Sequence, residues 1–191
     1  MSHPRPFATA TDLEVIASYR RDRSERAARE LIERHSPRLL RTVSRVLGEQ
    51  AGSAEDVVQD AWVRGFAAVS HYRGESAFIT WMTRVAVRGA LDVLRRSEHR
   101  VTHLSLDDAR TIATEPGDRE LATDIERALA KLSPQMRSVV ILHDIEGWTH
   151  AEIGAELDIA AGTSKATLFN ARRRLRSLLG GLQRDPTEES A

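Results

Sequence analysis

No cysteine occurs in the 191 residues, which excludes a disulfide framework, thiolate nucleophiles and zinc–thiolate centres. No apolar run approaches the ~18–20 residues of a membrane span. The opening MSHPRPFATATD lacks the apolar core of a secretion signal. A cytoplasmic protein with no membrane insertion is therefore expected. No alternating strand pattern and no internal repeat is visible. Net charge is also missing, because 28 lysines and arginines balance 28 aspartates and glutamates. A neutral chain does not coat nucleic acid by bulk electrostatics. What is present is a hydrophobic share of 41%, enough for a packed core in one domain or two small ones.

The balanced charge is segregated along the chain. Residues 98–126 hold eight carboxylates against three arginines, whereas residues 163–180 hold five cations and no carboxylate. The basic segment closes a stretch from Trp148 to Leu179 that reads as two helices joined by a tight turn. Ile153 and Leu157 place the first helix over His150 to Leu157. Asp158 to Gly162 is the expected turn, with Gly162 supplying a positive φ and Thr163 capping the next helix. In that helix Leu168, Ala171, Leu175, Leu178 and Leu179 form one apolar stripe. The opposite side carries Lys165, Ala166, Phe169, Asn170, Arg173 and Arg176. Phe169 is a large ring on the face that should be wet, among cations and an amide. A short helix, a tight turn and a cationic second helix suit a helix-turn-helix entering a major groove. The alternative for this stretch alone is a solvated basic face on an ordinary helical hairpin.

The rest of the chain reads as helices. Residues 1–11 are expected to be disordered. Apolar periodicity runs from Asp12 to about Leu47, with Pro37 ending or opening a helix and the arginines forming a solvated, salt-bridged face. Ser53 to Asp56 resembles a capping box ahead of a helix with Val57, Val58, Ala61, Trp62, Phe66 and Val69 on its apolar side. Glu55, Asp56, Gln59 and Asp60 cluster in the first turns of that helix. They either complement its dipole or form an acidic docking edge. Ser70 to Ser76 is a loop, and a further helix spans about Ala77 to Arg96. Its polar side carries Thr80, Thr83, Arg84 and Arg88, near Tyr72 and Trp81. Aromatic rings beside cations are a means of holding unstacked bases, although Phe78 reads as ordinary core. Residues 98–118 form an acidic linker. Helical periodicity resumes near Leu121, and Ser133-Pro134 opens a helix with proline in its tolerated first position.

Two blocks carry a family resemblance. AEDVVQDAWVRGFAAVSHYRGESAFITWMTRVAVRGALDVLRR spans residues 54–96, and ALAKLSPQMRSVVILHDIEGWTHAEIGAELDIAAGTSKATLFNARRRLRSLL spans residues 128–179. In this order they resemble bacterial RNA polymerase sigma factors of the extracytoplasmic-function (group 4, sigma-70) type. The resemblance implies an all-α fold of two small helical domains on a flexible linker. The region-2-like domain would span residues 12–97, the acidic linker 98–118, the region-4-like domain 119–180 and a disordered tail 181–191.

By that resemblance Glu55, Asp56, Gln59 and Asp60 would dock on core RNA polymerase, whose clamp helices and flap are the implied contacts. Tyr72, Arg73, Thr80, Trp81, Arg84 and Arg88 would capture unstacked bases of the promoter −10 element. Lys165, Ala166, Thr167, Phe169, Asn170 and Arg173 would read the −35 element. No cofactor, metal or catalytic residue is implied. An anti-sigma factor is an implied partner and could hold the protein at a membrane indirectly. Five positions depart from the pattern. Arg88 stands where asparagine is usual, Asp158 where glycine is common, Ala166 replaces a serine, Thr167 replaces an arginine, and Ser164 puts a hydroxyl on the core side of the recognition helix. The Arg88 change also leaves open a sigma-like protein that has lost initiation and only binds a regulator, and two other readings compete. One is a stand-alone helix-turn-helix regulator binding DNA as a dimer. The other is a metal-dependent enzyme built on His143-Asp144 or on His99 and His103, which lacks a third ligand at meaningful spacing.

Overall fold

Threonine followed by glutamate three residues on starts two of the helices. Thr11 accepts from the Glu14 N–H while the Glu14 carboxylate takes the Thr11 N–H at 2.7 Å. Thr149 and Glu152 repeat the arrangement, with 2.9 Å from the Thr149 N–H to the carboxylate. Each box satisfies backbone donors that a helix start leaves open. The computed structural model describes residues 7, 9–103 and 124–180. Most of the expected linker, most of the N-terminal segment and the tail from residue 181 lie outside them.

The described residues form eight α-helices and no strand. They are α1 (Asp12–Asp22), α2 (Glu25–Leu47), α3 (Ala54–Ala68), α4 (Phe78–His103), α5 (Asp124–Ala130), α6 (Pro134–Val140), α7 (His150–Leu157) and α8 (Ala161–Gly180). The all-α expectation holds. The chain divides into two units. One comprises residues up to Val43 with Ser53–Ala90, and the other comprises Ser44–Gly52 with the residues from Leu91 on.

In the first unit Phe78 is fully buried at the centre of an aromatic cluster. Its ring lies 5.6 Å from Tyr72, 5.8 Å from Trp81 and 6.3 Å from Trp62. The Trp62 indole N–H donates to Ser36 Oγ at 3.0 Å, so the buried ring keeps its polar atom satisfied. Of the expected salt-bridged arginines, Arg20 binds backbone instead, whereas Arg34 pairs as expected. Arg20 donates to the carbonyls of Val69 and Tyr72. Arg34 holds Glu30 at 2.8 Å and Asp12 at 3.1 Å.

Several local expectations are corrected. Pro37 neither ends nor opens a helix, because α2 runs through it. The apolar residues Ala27, Leu31, Leu39, Val43 and Val46 on both sides of it are buried. Each buried leucine or valine is worth ~1.5–3 kcal/mol, and the four together outweigh the ~3 kcal/mol of an internal proline. Ser53 makes no side-chain cap, since its backbone at φ −91°, ψ 3° is not extended. The helix expected to end at about Arg96 continues to His103.

The second unit is the helix-turn-helix with its supports. Ser133 caps α6 with Pro134 at the first position, as expected. A π-helical turn over Ile141–Ile145 follows, and Gly147 at φ 73° ends it. Arg137 is buried and donates to the carbonyls of Leu132, Val46 and Leu47 at 3.1–3.2 Å. The guanidinium thus trades its hydration for charge-assisted hydrogen bonds to carbonyls at helix ends.

Candidate polymerase and promoter surfaces

Three surfaces carry the residues singled out in the sequence. The first is the outer side of α3. Burial of Ala54, Val57, Val58, Ala61, Trp62 and Gly65 fixes which face points inward. The period of 3.6 then turns Glu55, Asp56, Gln59 and Asp60 outward, and all four are exposed. Val63 joins them at 71% exposure, four residues beyond Gln59. The sequence reading missed it, although a valine outside the apolar stripe of an amphipathic helix was a legible signal.

The second surface is the loop between α3 and α4. Tyr72 does not offer an open ring face. It is buried in the Phe78 cluster and donates its hydroxyl to the Ser76 carbonyl at 2.6 Å. Burial pushes its phenol pKa up, which keeps the donor proton in place. Tyr72 therefore shapes the loop from beneath, and Arg20 grips the loop's first residues from α1. Gly74 at φ 78° turns the chain where a side chain would be strained. Beside it lies an open cleft of about 420 Å³, lined by Thr11, Asp12, Leu13, Tyr72 and Gly74 to Phe78. Arg73, Arg84 and Arg88 are exposed, and Thr80 and Trp81 are half-buried. Thr83, expected on the polar side, is buried instead.

The third surface is on α8. The turn before it differs from expectation. The left-handed residue is Asp158 at φ 54°, not Gly162. The Asp158 N–H returns to the carbonyl of Gly154, as does the Ile159 N–H at 2.9 Å. Helix α8 then begins at Ala161, so Thr163 is inside it rather than at its cap. Leu168 and Ala171 are buried, while Lys165, Ala166, Phe169, Asn170 and Arg173 are exposed and Thr167 is half-buried. Phe169 is 64% exposed.

A polar cluster fixes α8 against its neighbours in this unit. Arg172 is not part of the open face. It pairs with Asp144 through Nε at 3.0 Å and Nη2 at 2.5 Å, two parallel bonds that suit guanidinium and carboxylate. Arg172 holds the Asp144 carboxyl below the usual carboxylate range. Asp144 also meets His143 Nδ1 at 2.9 Å, and the His143 ring stacks on His150 at 4.5 Å. His150 Nδ1 in turn lies 3.0 Å from Ser164 Oγ. Ser164 is fully buried, so the departure noted in the sequence is answered by a partner that the sequence reading did not identify. The His143-Asp144 pair is thus engaged in packing α8. Among the described residues no group of three or more histidines, aspartates or glutamates is placed to hold a metal. The His99 and His103 side chains lie outside the described residues.

This cluster gives a pH prediction. The His150 pKa is lowered from its ordinary 6.5, first by lost hydration and then by the nearby His143, Lys165 and Arg172, with Asp144 opposing. The unfolded chain therefore takes this proton first as pH falls. Stability is fully present above about 6.5 and declines as pH drops toward the lower folded value. Urea midpoints at about pH 7.5 and about pH 5.5 should show an acid loss that is smaller in His150→Gln. An equal loss in both proteins would remove His150 as its source. Separately, Ser164→Ala should cost about 1 kcal/mol through the lost hydrogen bond, read from the same urea curves.

Two family models match the chain, one on each side of the acidic segment. Residues 31–100 match the family model for sigma-70 region 2, and residues 122–175 match that for sigma-70 region 4. The RNA polymerase sigma factor CarQ of Myxococcus xanthus is 31% identical over 166 residues, covering 85% of this chain and 95% of CarQ. The chain belongs to the sigma-70 family. Within it the chain is an extracytoplasmic-function sigma factor. The sigma factor SigM of Mycobacterium tuberculosis, of that type, is 30% identical, with 90% of this chain and 86% of SigM covered. SigE of Mycolicibacterium smegmatis is 34% identical over 157 residues, and the match spans 60% of its length. Two solved structures share the fold. Bartonella quintana RpoE, solved in complex with the anti-sigma factor NepR, gives a TM-score of 0.56 at 24% identity, covering 82% of this chain and 98% of that one. CnrH, solved with the cytosolic domain of CnrY, gives 0.53 at 23% identity, covering 89% and 97%. A sigma factor is not an enzyme, and its place is in transcription initiation. No helix among the described residues is long and apolar enough to cross a membrane.

Proposed function

We propose that this sigma factor joins core RNA polymerase through α3, opens the −10 element at the loop and α4, and reads the −35 element with α8. The observation that carries the reading is the face of α8. Lys165, Ala166, Phe169, Asn170 and Arg173 are exposed together, and the Phe169 ring is mostly uncovered. A large exposed ring among cations and an amide fits a base edge in a major groove, where phenylalanine meets a thymine methyl. On α3 the exposed acids, with Val63 one turn beyond them, supply charge for encounter and apolar area for retention. Clamp helices and flap of the polymerase are the assigned contacts.

The cleft beside Gly74 is the assigned receptor for an unstacked −10 base, with Arg73, Thr80, Trp81, Arg84 and Arg88 around the loop and α4. Filling it offsets the few kcal/mol lost on unstacking. An anti-sigma factor is the assigned regulator, as RpoE and CnrH are each solved with a second protein.

A gel shift with promoter DNA tests the reading. The chain alone should give little shift, because few cations face the groove and phosphate contacts dominate unaided affinity. Adding core polymerase should give a shifted complex that yields run-off transcript. A strong shift by the chain alone, with no transcript on adding core, would return the stand-alone regulator. Phe169→Ala should weaken −35-dependent transcription by about tenfold with unchanged thermal stability.

A further inference from the structure

The reading face of α8 has an unusual residue set for its charge. Of the arginines on this helix, Arg172 is committed to Asp144 at 3.0 and 2.5 Å. The first turns of the exposed face hold Lys165, Ala166, Phe169 and Asn170, and none of these is an arginine. The residue that most often pairs with guanine through O6 and N7 is therefore missing from the part of the helix nearest the bases. Asn170 takes the adjacent place. Its carboxamide is exposed one residue beyond Phe169 and one turn beyond Ala166 and Thr167.

We propose that Asn170 is a specificity-determining residue that selects adenine in the −35 element. Its Oδ1 accepts from the adenine N6 amino group, and its Nδ2 donates to N7. That pair of bonds is available on no other base, since guanine offers two acceptors in the same positions. Phe169 and Ala166, both apolar and exposed beside it, complement thymine methyls on the neighbouring pairs. The recognised upstream element is thus centred on A·T pairs, with Lys165 the one guanine-compatible contact in this set. The inference rests on the −35 reading proposed above and adds the identity of the base.

The experiment uses the full chain with core RNA polymerase on a duplex library randomised upstream of the start site. The parent protein should enrich an adenine at one −35 position. Changing that adenine to guanine, or to 7-deazaadenine, should lower open-complex formation by about tenfold. Asn170→Ala should lose sensitivity to both changes, and Asn170→Arg should enrich guanine at the same position. Asn170 is exposed, so these variants should melt like the parent. An enriched −35 element that is identical in the parent and Asn170→Ala would overturn the assignment while leaving −35 reading intact. Transcription with no −35 element enriched by any of the proteins would overturn both.

Discussion

Asp56→Arg is expected to remove capture of core RNA polymerase while leaving the chain folded. Asp56 is exposed on the first turn of α3, beside Glu55, Gln59 and Asp60. On the docking proposed above, reversing its charge would delete an attractive pair and set a cation against a basic partner. Changes of this kind cost about 3 kcal/mol, roughly a hundredfold in affinity. The cost to folding is far smaller. A carboxylate at a helix start contributes ~0.3–1 kcal/mol, and Asp56 covers no core. Pull-down of core enzyme, with thermal melting as the control, checks both halves. Val63→Ser should weaken capture in the same assay, because its side chain is 71% exposed and has nothing to lose on folding. Unchanged capture by Asp56→Arg would show that α3 is not the docking edge.

Gly154→Ala should cut −35-dependent transcription at least tenfold with polymerase capture unchanged. A Cβ built on Gly154 would lie 2.6 Å from the Ile159 carbonyl oxygen and 3.4 Å from the Ala161 nitrogen. Both are backbone atoms of the turn that launches α8, so no side chain can swing aside. The same turn is held by N–H groups of Asp158 and Ile159 returning to the Gly154 carbonyl. Relief of the clash must move the start of α8. Overpacking of this sort costs ~1–3 kcal/mol, partly offset by the ~1 kcal/mol that alanine gains over glycine in a helix. The net stability loss is modest, but on the −35 reading proposed above a shifted α8 would no longer meet base edges whose hydrogen bonds tolerate only tenths of an ångström. Gly162→Ala is the matched control. Nothing lies within 4 Å of its added Cβ, so it should transcribe like the parent and melt no lower. Parental transcription from Gly154→Ala would show that the turn yields without moving α8.

The two glycines show where sequence reading reaches and where it stops. Both stand in the helix-turn-helix. Periodicity made Gly162 the obvious turn residue, yet the backbone turns at Asp158, and Gly162 sits in the first turn of α8. Gly154 drew no notice, because its constraint is set by atoms of Ile159 and Ala161 that reach it only after the chain has folded back. Pro37 misled for a related reason. A local cost was legible, while the burial on both sides that outweighs it was not.

The sequence by itself determined the helical class, the inward faces of α3 and α8, that of α4 apart from Thr83, and the outward set from Lys165 to Arg173. Those follow from a period of 3.6 residues and a requirement to bury apolar side chains, which need no knowledge of partners. Only the tertiary structure decided that Tyr72 supports its loop from within, that Arg172 pins α8 to Asp144, and that His150 satisfies the hydroxyl of Ser164. Such roles depend on which polar atom meets which across elements separated in the chain. A buried hydroxyl or a guanidinium is settled by the partner that folding brings to it, and no spacing rule names that partner.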